Sequence, residues 1–298
     1  MGIKPASRLV VGVVIPVYND WHGLQKCLRA LAAQTHPSSL VRVRVVNNGS
    51  DDWPHDPNFP LPVEVIYVSK PGSYAARNRA ALNWDVDVLA FTDADCLPAQ
   101  DWLQQGVEAL TVLGLERGLI AGHIELVPQS PASLRLAEQL DQILGFDQSR
   151  TVRRARYGVT ANLFLSQKQF QSLGGFLSNT RSGGDRDFCQ RACAHGLGLT
   201  YASSCVVRHP ARDWPSLIYK QRRIVGGRLS LASRDVFARL QVLWLSLRPV
   251  VSESWRIICV PSIPPLRRLR LLLLVLVLRL NVLFEWLRLQ WPGQEPLR

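Results

Sequence analysis

The 298-residue sequence predicts an α/β fold, a sheet flanked by helices, followed by a basic, apolar helical tail. Three observations predict it. Strand-like and helix-like segments alternate from Val10 to Leu110, the signature of βαβ units in a parallel sheet. Several of the strand-like segments run straight into polar turn clusters, as strand ends facing a ligand crevice do. Composition then changes sharply near residue 210, where arginine begins to alternate with leucine and tryptophan.

Val10 to Val17 is a nearly continuous apolar run, as a strand covered on both faces requires. After the turn "YNDWHG", Leu24, Cys27, Leu28 and Leu31 recur at helical spacing. "VRVRVV" alternates and stops at "NNGSDD"; "VEVIYV" is a third strand, Tyr74 to Leu82 a helix and "VDVLAFT" a fourth strand stopping at Asp93. Beyond Leu110, "LIAGHIELVP" predicts a strand and Ala137 to Leu144 a polar helix. "YGVTANLFLSQKQFQSLGGF" reads as strand, helix and glycine turn, "SGGDRDFCQRACAHG" as a capped helix, and "LTYASSCVVRHPAR" as a last strand.

With 47% hydrophobic and 19% charged residues, the chain can build a sizeable core, and global disorder is excluded. Its net charge of +12 is concentrated: from Arg208 onward, sixteen Arg and Lys face five Asp and Glu, and the preceding residues are nearly neutral. A neutral body with a basic, apolar tail points to an anionic membrane surface and not to nucleic acid. Six scattered cysteines without a CxxC pair suit a reducing compartment, and the short apolar run near the amino terminus reads as a first strand, not a signal peptide. In the tail, Val236, Phe237, Leu240, Leu243, Trp244 and Leu247 share one helical face. After "VPSIPPLRR", the run Leu271 to Leu278 is shorter than a spanning helix needs. Arg279 would sit near the bilayer centre, at a cost of roughly 2.5–3.5 kcal/mol. An in-plane membrane helix, a spanning helix and a core or oligomer helix all remain open.

The stretch "VLAFTDADCLP" carries the chemistry. Asp93 and Asp95 follow a buried strand with only Ala94 between them, and two carboxylates so spaced can act together on a hard divalent cation such as Mg²⁺ or Mn²⁺ beside substrate phosphates. A bare D-x-D is more often a surface turn; the accompanying motifs change that weighting.

The ordered set "VVIPVYND", "VVNNGSDD", "PGSYAARNRA", "FTDADCLP", "TANLFLSQKQFQSLGGF", "SGGDRDFCQRA" and "VVRHP" resembles the family 2 glycosyltransferases of the GT-A fold, over roughly Val10 to His209. The resemblance implies a Rossmann-like mixed sheet and transfer of a sugar, with inversion, from a nucleotide-sugar donor, with Mn²⁺ or Mg²⁺ as cofactor. It implies a catalytic domain over 1–212, with a nucleotide-binding half at 8–110 and an acceptor half at 111–212; charge and composition add a helical membrane-associating tail at 213–298. It places Asp93 near the ribose, with Ala94 beside it, and Asp95 at the metal and diphosphate, with His209 a candidate second metal ligand. Pro16, Val17 and Tyr18 are expected beside the base. Asn47 and Asn48 stand where the family carries acids, and an asparagine carbonyl can still accept the base's imide N–H. Arg77 is expected at the base or adjacent phosphate, the alternative being an exposed helix arginine. Asp185 is expected to be the base that deprotonates the acceptor, although Gly184 replaces the acid usually before it; helix capping is the structural alternative. Asn162 and Gly175 are expected to be architectural. Gln221, Arg222 and Arg223 are expected either to grip an acceptor diphosphate or to form a basic helix face against phospholipid.

The resulting expectation is a glycosyltransferase of polysaccharide or lipid-linked glycan synthesis. It would be peripheral or monotopic at the cytoplasmic face of the inner (plasma) membrane, using a UDP-sugar donor and a saccharide or lipid-linked acceptor. A non-catalytic sugar-nucleotide-binding or scaffold protein and a nucleotidyltransferase are the alternatives; "PVYNDWHG" lacks the glycine-rich basic loop the latter needs.

Overall fold

The computed structural model describes residues 5–130, 134–180, 182–232, 235–291 and 293–297. Its strands are β1 (Val11–Val17), β2 (Val41–Asn47), β3 (Glu64–Tyr67), β4 (Val88–Phe91), β5 (Leu97–Pro98), β6 (Gly118–Val127), β7 (Leu163–Ser166) and β8 (Gly198–Pro210). The helices are α1 (Trp21–Ala32), α2 (Ser73–Ala81), α3 (Trp102–Leu113), α4 (Leu136–Leu144), α5 (Gln148–Ala155), α6 (Gln167–Ser172), α7 (Gly184–Ala194), α8 (Trp214–Leu231), α9 (Val236–Leu247), α10 (Pro249–Ile258) and α11 (Pro265–Arg288).

The described strands form one mixed sheet in the order β3-β2-β1-β4-β7-β6-β8-β5. β1 lies parallel to β2 and β4, and β2 parallel to β3, with Val11 opposite both Val41 and Val88. The direction reverses at β7, which runs antiparallel to β4 and β6. Every residue of β4 and β7 is buried, which is why neither alternates polar with apolar side chains.

Two compact units divide the chain. The first comprises residues 1–125, 147–179 and 184–209, and it holds the core built on Leu89, Phe91, Leu163, Phe170, Phe176 and Phe188. Helix α1 packs through Leu24, Cys27, Leu28 and Leu31, and Asp20 caps it by accepting the Gly23 N–H at 3.0 Å. Asn162 braces this unit. It is fully buried, accepts the Trp102 indole N–H at 2.9 Å, and donates to the carbonyls of His123 (2.8 Å) and Cys205 (2.9 Å). Trp102 is buried against Phe164 and packs the core.

The second unit comprises residues 126–146, 180–183 and 210–298, so the tail shares a unit with α4 and does not stand alone. Its seam is α11, where Leu271, Val275, Leu278, Val282 and Glu285 are buried at alternating steps of four and three. Arg279 faces inward beside that seam. It pairs with Glu253 and donates to the Ser246 carbonyl at 2.9 Å, which explains an arginine within an apolar run. Among the described residues, no helix is long and apolar enough to cross a membrane. The apolar face foreseen on α9 is exposed at Val236, Phe237, Leu240 and Trp244, while Val242 and Ser246 are buried.

Candidate functional site

The site in the first unit is assembled from loops at the carboxyl ends of the parallel strands. The loops after β1 and β2 are stitched together: the Asn48 N–H reaches the Val17 carbonyl (2.9 Å), the Asn19 N–H reaches Ser50 Oγ (3.0 Å), and the Asp51 N–H reaches Asn19 Oδ1 (2.8 Å). Pro16 is half-buried, Val17 buried and Tyr18 exposed at this edge. Asn47 and Asn48 are buried braces. Asn47 Oδ1 accepts the Ser50 N–H at 2.8 Å. Asn48 donates to the carbonyls of Val68 (2.9 Å) and Lys70 (2.8 Å), and its Oδ1 accepts the Gly72 N–H at 2.8 Å. Gly72 has φ of 124°, a conformation that favours glycine, and it starts α2 at this brace.

Helix α2 then presents two side chains, one turn apart, to two carboxylates. The Tyr74 hydroxyl donates to Asp185 Oδ1 at 3.1 Å, and the Arg77 guanidinium pairs closely with Asp93. Arg77 is only 3% exposed, which removes the exposed-helix alternative, and its Nε is a buried donor with no partner. Its guanidinium lies 5.7 Å from the Tyr74 ring centre. Asn78 fastens the adjoining turn: it donates to the Phe176 carbonyl at 2.7 Å and accepts the Phe176 N–H at 2.9 Å, beside Gly175 at φ 68°.

Asp185 opens α7, where its Oδ1 also accepts the Arg186 N–H at 2.8 Å. Burial pushes its carboxyl above the ordinary value, with Asp93 adding to the rise; the Arg186 N–H, the Tyr74 hydroxyl and Arg77 partly offset it. Asp187 pairs with Arg191 at 2.9 Å, and Arg191 also donates to the Leu173 and Gly175 carbonyls, so Asp187 holds this region together.

Ala94 is buried between the two aspartates. Asp95 Oδ2 lies 3.3 Å from His209 Nε2, with Cys96 Sγ in the same cluster. His209 is buried, whereas the Asp95 side chain is 38% exposed and therefore open on one side. Two donors bound to one divalent cation at about 2.1 Å and near a right angle stand about 3 Å apart. The Asp95–His209 separation fits two ligands of one divalent cation. The carboxylate and imidazole suit Mn²⁺ or Mg²⁺, whereas the thiol is too soft a donor for either.

Gln221, Arg222 and Arg223 lie on α8, in the second unit. Arg222 pairs at 2.8 Å with Glu285, which is fully buried and also pairs with Arg288 at 2.6 Å. Arg222 is thus paired with a buried carboxylate within the second unit. Tyr74 is the site residue that the sequence reading missed; its placement one turn before Arg77 on a common helix is the signal that could have found it.

Comparison with known proteins bears on this arrangement. Residues 12–160 match the family model described as Glycosyl transferase family 2. The chain is 33% identical over 243 residues to Glycosyltransferase AglE of Haloferax volcanii, covering 80% of this chain and 79% of that protein. It is 27% identical over 224 residues to the pre-mycofactocin glycosyltransferase of Mycobacterium tuberculosis, covering 70% of this chain but 45% of that longer protein. Among solved structures, it resembles the mannosyltransferase PcManGT of Pyrobaculum calidifontis, determined with GDP-Man and Mn²⁺, at a TM-score of 0.60 and 16% identity over 96% of this chain and 88% of that one. It also resembles S. aureus TarS 1-349 in complex with UDP, at a TM-score of 0.51 and 15% identity over 93% of this chain and 88% of that one.

Proposed function

Because the chain belongs to glycosyl transferase family 2 and is a glycosyltransferase of GT-A fold, we propose that it moves a sugar from a nucleotide-sugar donor to a saccharide or lipid-linked acceptor, with inversion at the anomeric carbon. The observation that carries this reading is the pair of contacts made by α2. One turn of one helix touches Asp93 through Arg77 and Asp185 through Tyr74. Tyr74 and Arg77 are neighbours on one face of α2, so a single rigid helical turn anchors both carboxylates.

In this mechanism Asp185 accepts the proton of the acceptor hydroxyl as that oxygen bonds to the anomeric carbon. The bond from the anomeric carbon to the diphosphate oxygen breaks on the opposite side, and its electron pair leaves with the nucleoside diphosphate. Burial suits Asp185 to this work, because a carboxylate of raised pKa is a stronger base than an exposed one. Tyr74 orients its oxygen, and Arg77 holds Asp93 toward the donor ribose. Asn47 and Asn48 keep the nucleotide loop in shape, beside Pro16, Val17 and Tyr18. Asp95 and His209 would hold Mn²⁺ or Mg²⁺, which when bound supplies Lewis-acid stabilisation of the departing charge. The bound nucleotides of the two structural relatives support a nucleoside-diphosphate donor, and a UDP-sugar is the first to test.

The second unit is read as the membrane-docking part, peripheral to an anionic cytoplasmic leaflet in polysaccharide or lipid-linked glycan synthesis. Its exposed side chains include Phe237, Trp244, Trp255, Leu280, Phe284 and Trp291, which support an in-plane contact.

A thermal-shift screen of nucleotide sugars with Mn²⁺ or with chelator tests the catalytic reading. One donor should raise the melting temperature only with the cation, and that donor should then yield nucleoside diphosphate. No shift and no release with any donor would sink it. Sedimentation with phosphatidylglycerol vesicles tests the docking reading; unchanged pelleting after Phe237, Trp255 and Phe284 are replaced by serine would refute it.

A further inference from the structure

A cationic cavity stands beside the proposed base, apart from the Asp95–His209 pair. Helix α5 ends in Arg153 and Arg154, and the chain leaves it in a left-handed turn at Arg156, φ 50°. Helix α7 supplies Arg186, Gln190 and Cys193. Together these side chains line a cavity of about 450 Å³. Among the described residues, none of the four arginines has a carboxylate partner. Arg77, Arg191, Arg222, Arg279 and Arg288 all do.

The helix dipole accounts for only part of this arrangement. Arg153 and Arg154 lie in the last turn of α5, where a cation is favoured. Arg186 lies in the first turn of α7, where the dipole opposes it. It nevertheless lines the cavity as an exposed side chain, with its guanidinium 5.7 Å from the Tyr157 ring centre. Four exposed guanidiniums around one space raise the local positive potential, and their planar forks suit phosphate oxygens.

Asp185 immediately precedes Arg186 and accepts its N–H. We propose that the cavity formed by Arg153, Arg154, Arg156 and Arg186 binds a phosphate or diphosphate group of the acceptor, so that the substrate receiving the sugar is a phosphorylated molecule. This inference rests on the reading of Asp185 as the base. The acceptor's anionic group would sit in the cavity while its hydroxyl meets the Asp185 carboxylate. The phosphate-gripping role expected of Arg222 passes to arginines without a carboxylate of their own.

Cys193 provides a readout inside the cavity wall. Cys259 is exposed in the second unit and serves as an internal reference, while Cys27, Cys96, Cys189 and Cys205 are buried. The full chain is alkylated with iodoacetamide in chelator and low salt, with or without inorganic pyrophosphate, and both sites are followed by mass spectrometry. At a pyrophosphate concentration tenfold above its dissociation constant, Cys193 should react roughly tenfold more slowly while Cys259 is unaffected. The protection should fade at high ionic strength. It should survive Asp95→Ala and vanish in the double variant Arg153→Gln/Arg186→Gln. Unaltered Cys193 labelling, or equal protection in the double variant, overturns the proposal. Protection by phosphatidylglycerol vesicles but not by pyrophosphate also overturns it, making the cavity a membrane contact. If pyrophosphate protects but no nucleotide sugar stabilises the wild-type chain, an anion site stands and its assignment to an acceptor falls.

Discussion

The Arg77–Asp93 pair makes a prediction that depends on which partner is buried. Arg77 is 3% exposed and Asp93 32% exposed. Replacing Asp93 by alanine strands a guanidinium that water cannot reach, and breaking a buried pair in this way costs about 3–5 kcal/mol. Replacing Arg77 by methionine keeps the bulk and leaves a carboxylate that can rehydrate, so its cost should be about 1–2 kcal/mol. At roughly 2 °C per kcal/mol for a chain of this size, Asp93→Ala should melt about 6–10 °C low and Arg77→Met about 2–4 °C low. The double variant should resemble Arg77→Met, because no stranded buried guanidinium remains in it. Guanidinium unfolding of the four proteins, followed by circular dichroism, measures the cycle. If Asp93→Ala costs no more than Arg77→Met, or if the effects add to within about 0.5 kcal/mol, the asymmetric burial argued above is refuted.

Further expectations concern the base, the first unit's brace and a lysine. Asp185→Asn should reduce transfer by about 10²–10⁴ while preserving nucleotide-sugar stabilisation. Burial raises the Asp185 pKa, so the carboxyl gains its proton, and activity is lost, at a higher pH on the acid side than for an ordinary carboxylate; an acid limb near pH 4 would contradict this. Asn162→Leu leaves the Trp102 N–H and two carbonyls unpaired, and should destabilise by at least about 3 kcal/mol in denaturant unfolding. Lys220 has its pKa drawn down to about 8 by burial, with Arg212 adding to the effect and Asp141 opposing it. The folded state therefore favours the neutral amine, and this group's contribution should raise stability as pH climbs from about 8 toward its ordinary value. In pH-dependent amine labelling, Lys220 should show a midpoint near 8; a midpoint at the ordinary lysine value would exclude the shift.

Much of the first unit is legible because its signals are local. Leu24, Cys27, Leu28 and Leu31 announce α1 by their spacing, and they are the residues that α1 buries. Helix α5 was missed because "QSRTVRRA" has no apolar period. It forms through the Asp147 cap and through Gln148, whose buried amide donates to the Gly122 and Asn162 carbonyls. Strand β5 is two residues long and leaves no periodic trace. Asp93, Asp95 and Asp185 stand in motifs visible in the sequence; the helical spacing of Tyr74 and Arg77 is visible too, but the Tyr74–Asp185 contact spans 111 positions and is a tertiary fact. Arg279 looked like a charge in a lipid-facing run because its partner, Glu253, stands on a different helix. The α9 stripe was legible as a stripe; whether solvent or protein covers such a face is a tertiary fact.

The two sides of α11 carry a practical consequence. Its inward side is closed by Arg279 and Glu285, while Leu269, Leu273, Leu280, Phe284 and Leu287 remain exposed on the outside. Purified away from any covering partner, the chain would meet other copies through that greasy outer strip. Mild detergent below the denaturing range should improve recovery, and concentrating the protein without it should turn the solution cloudy.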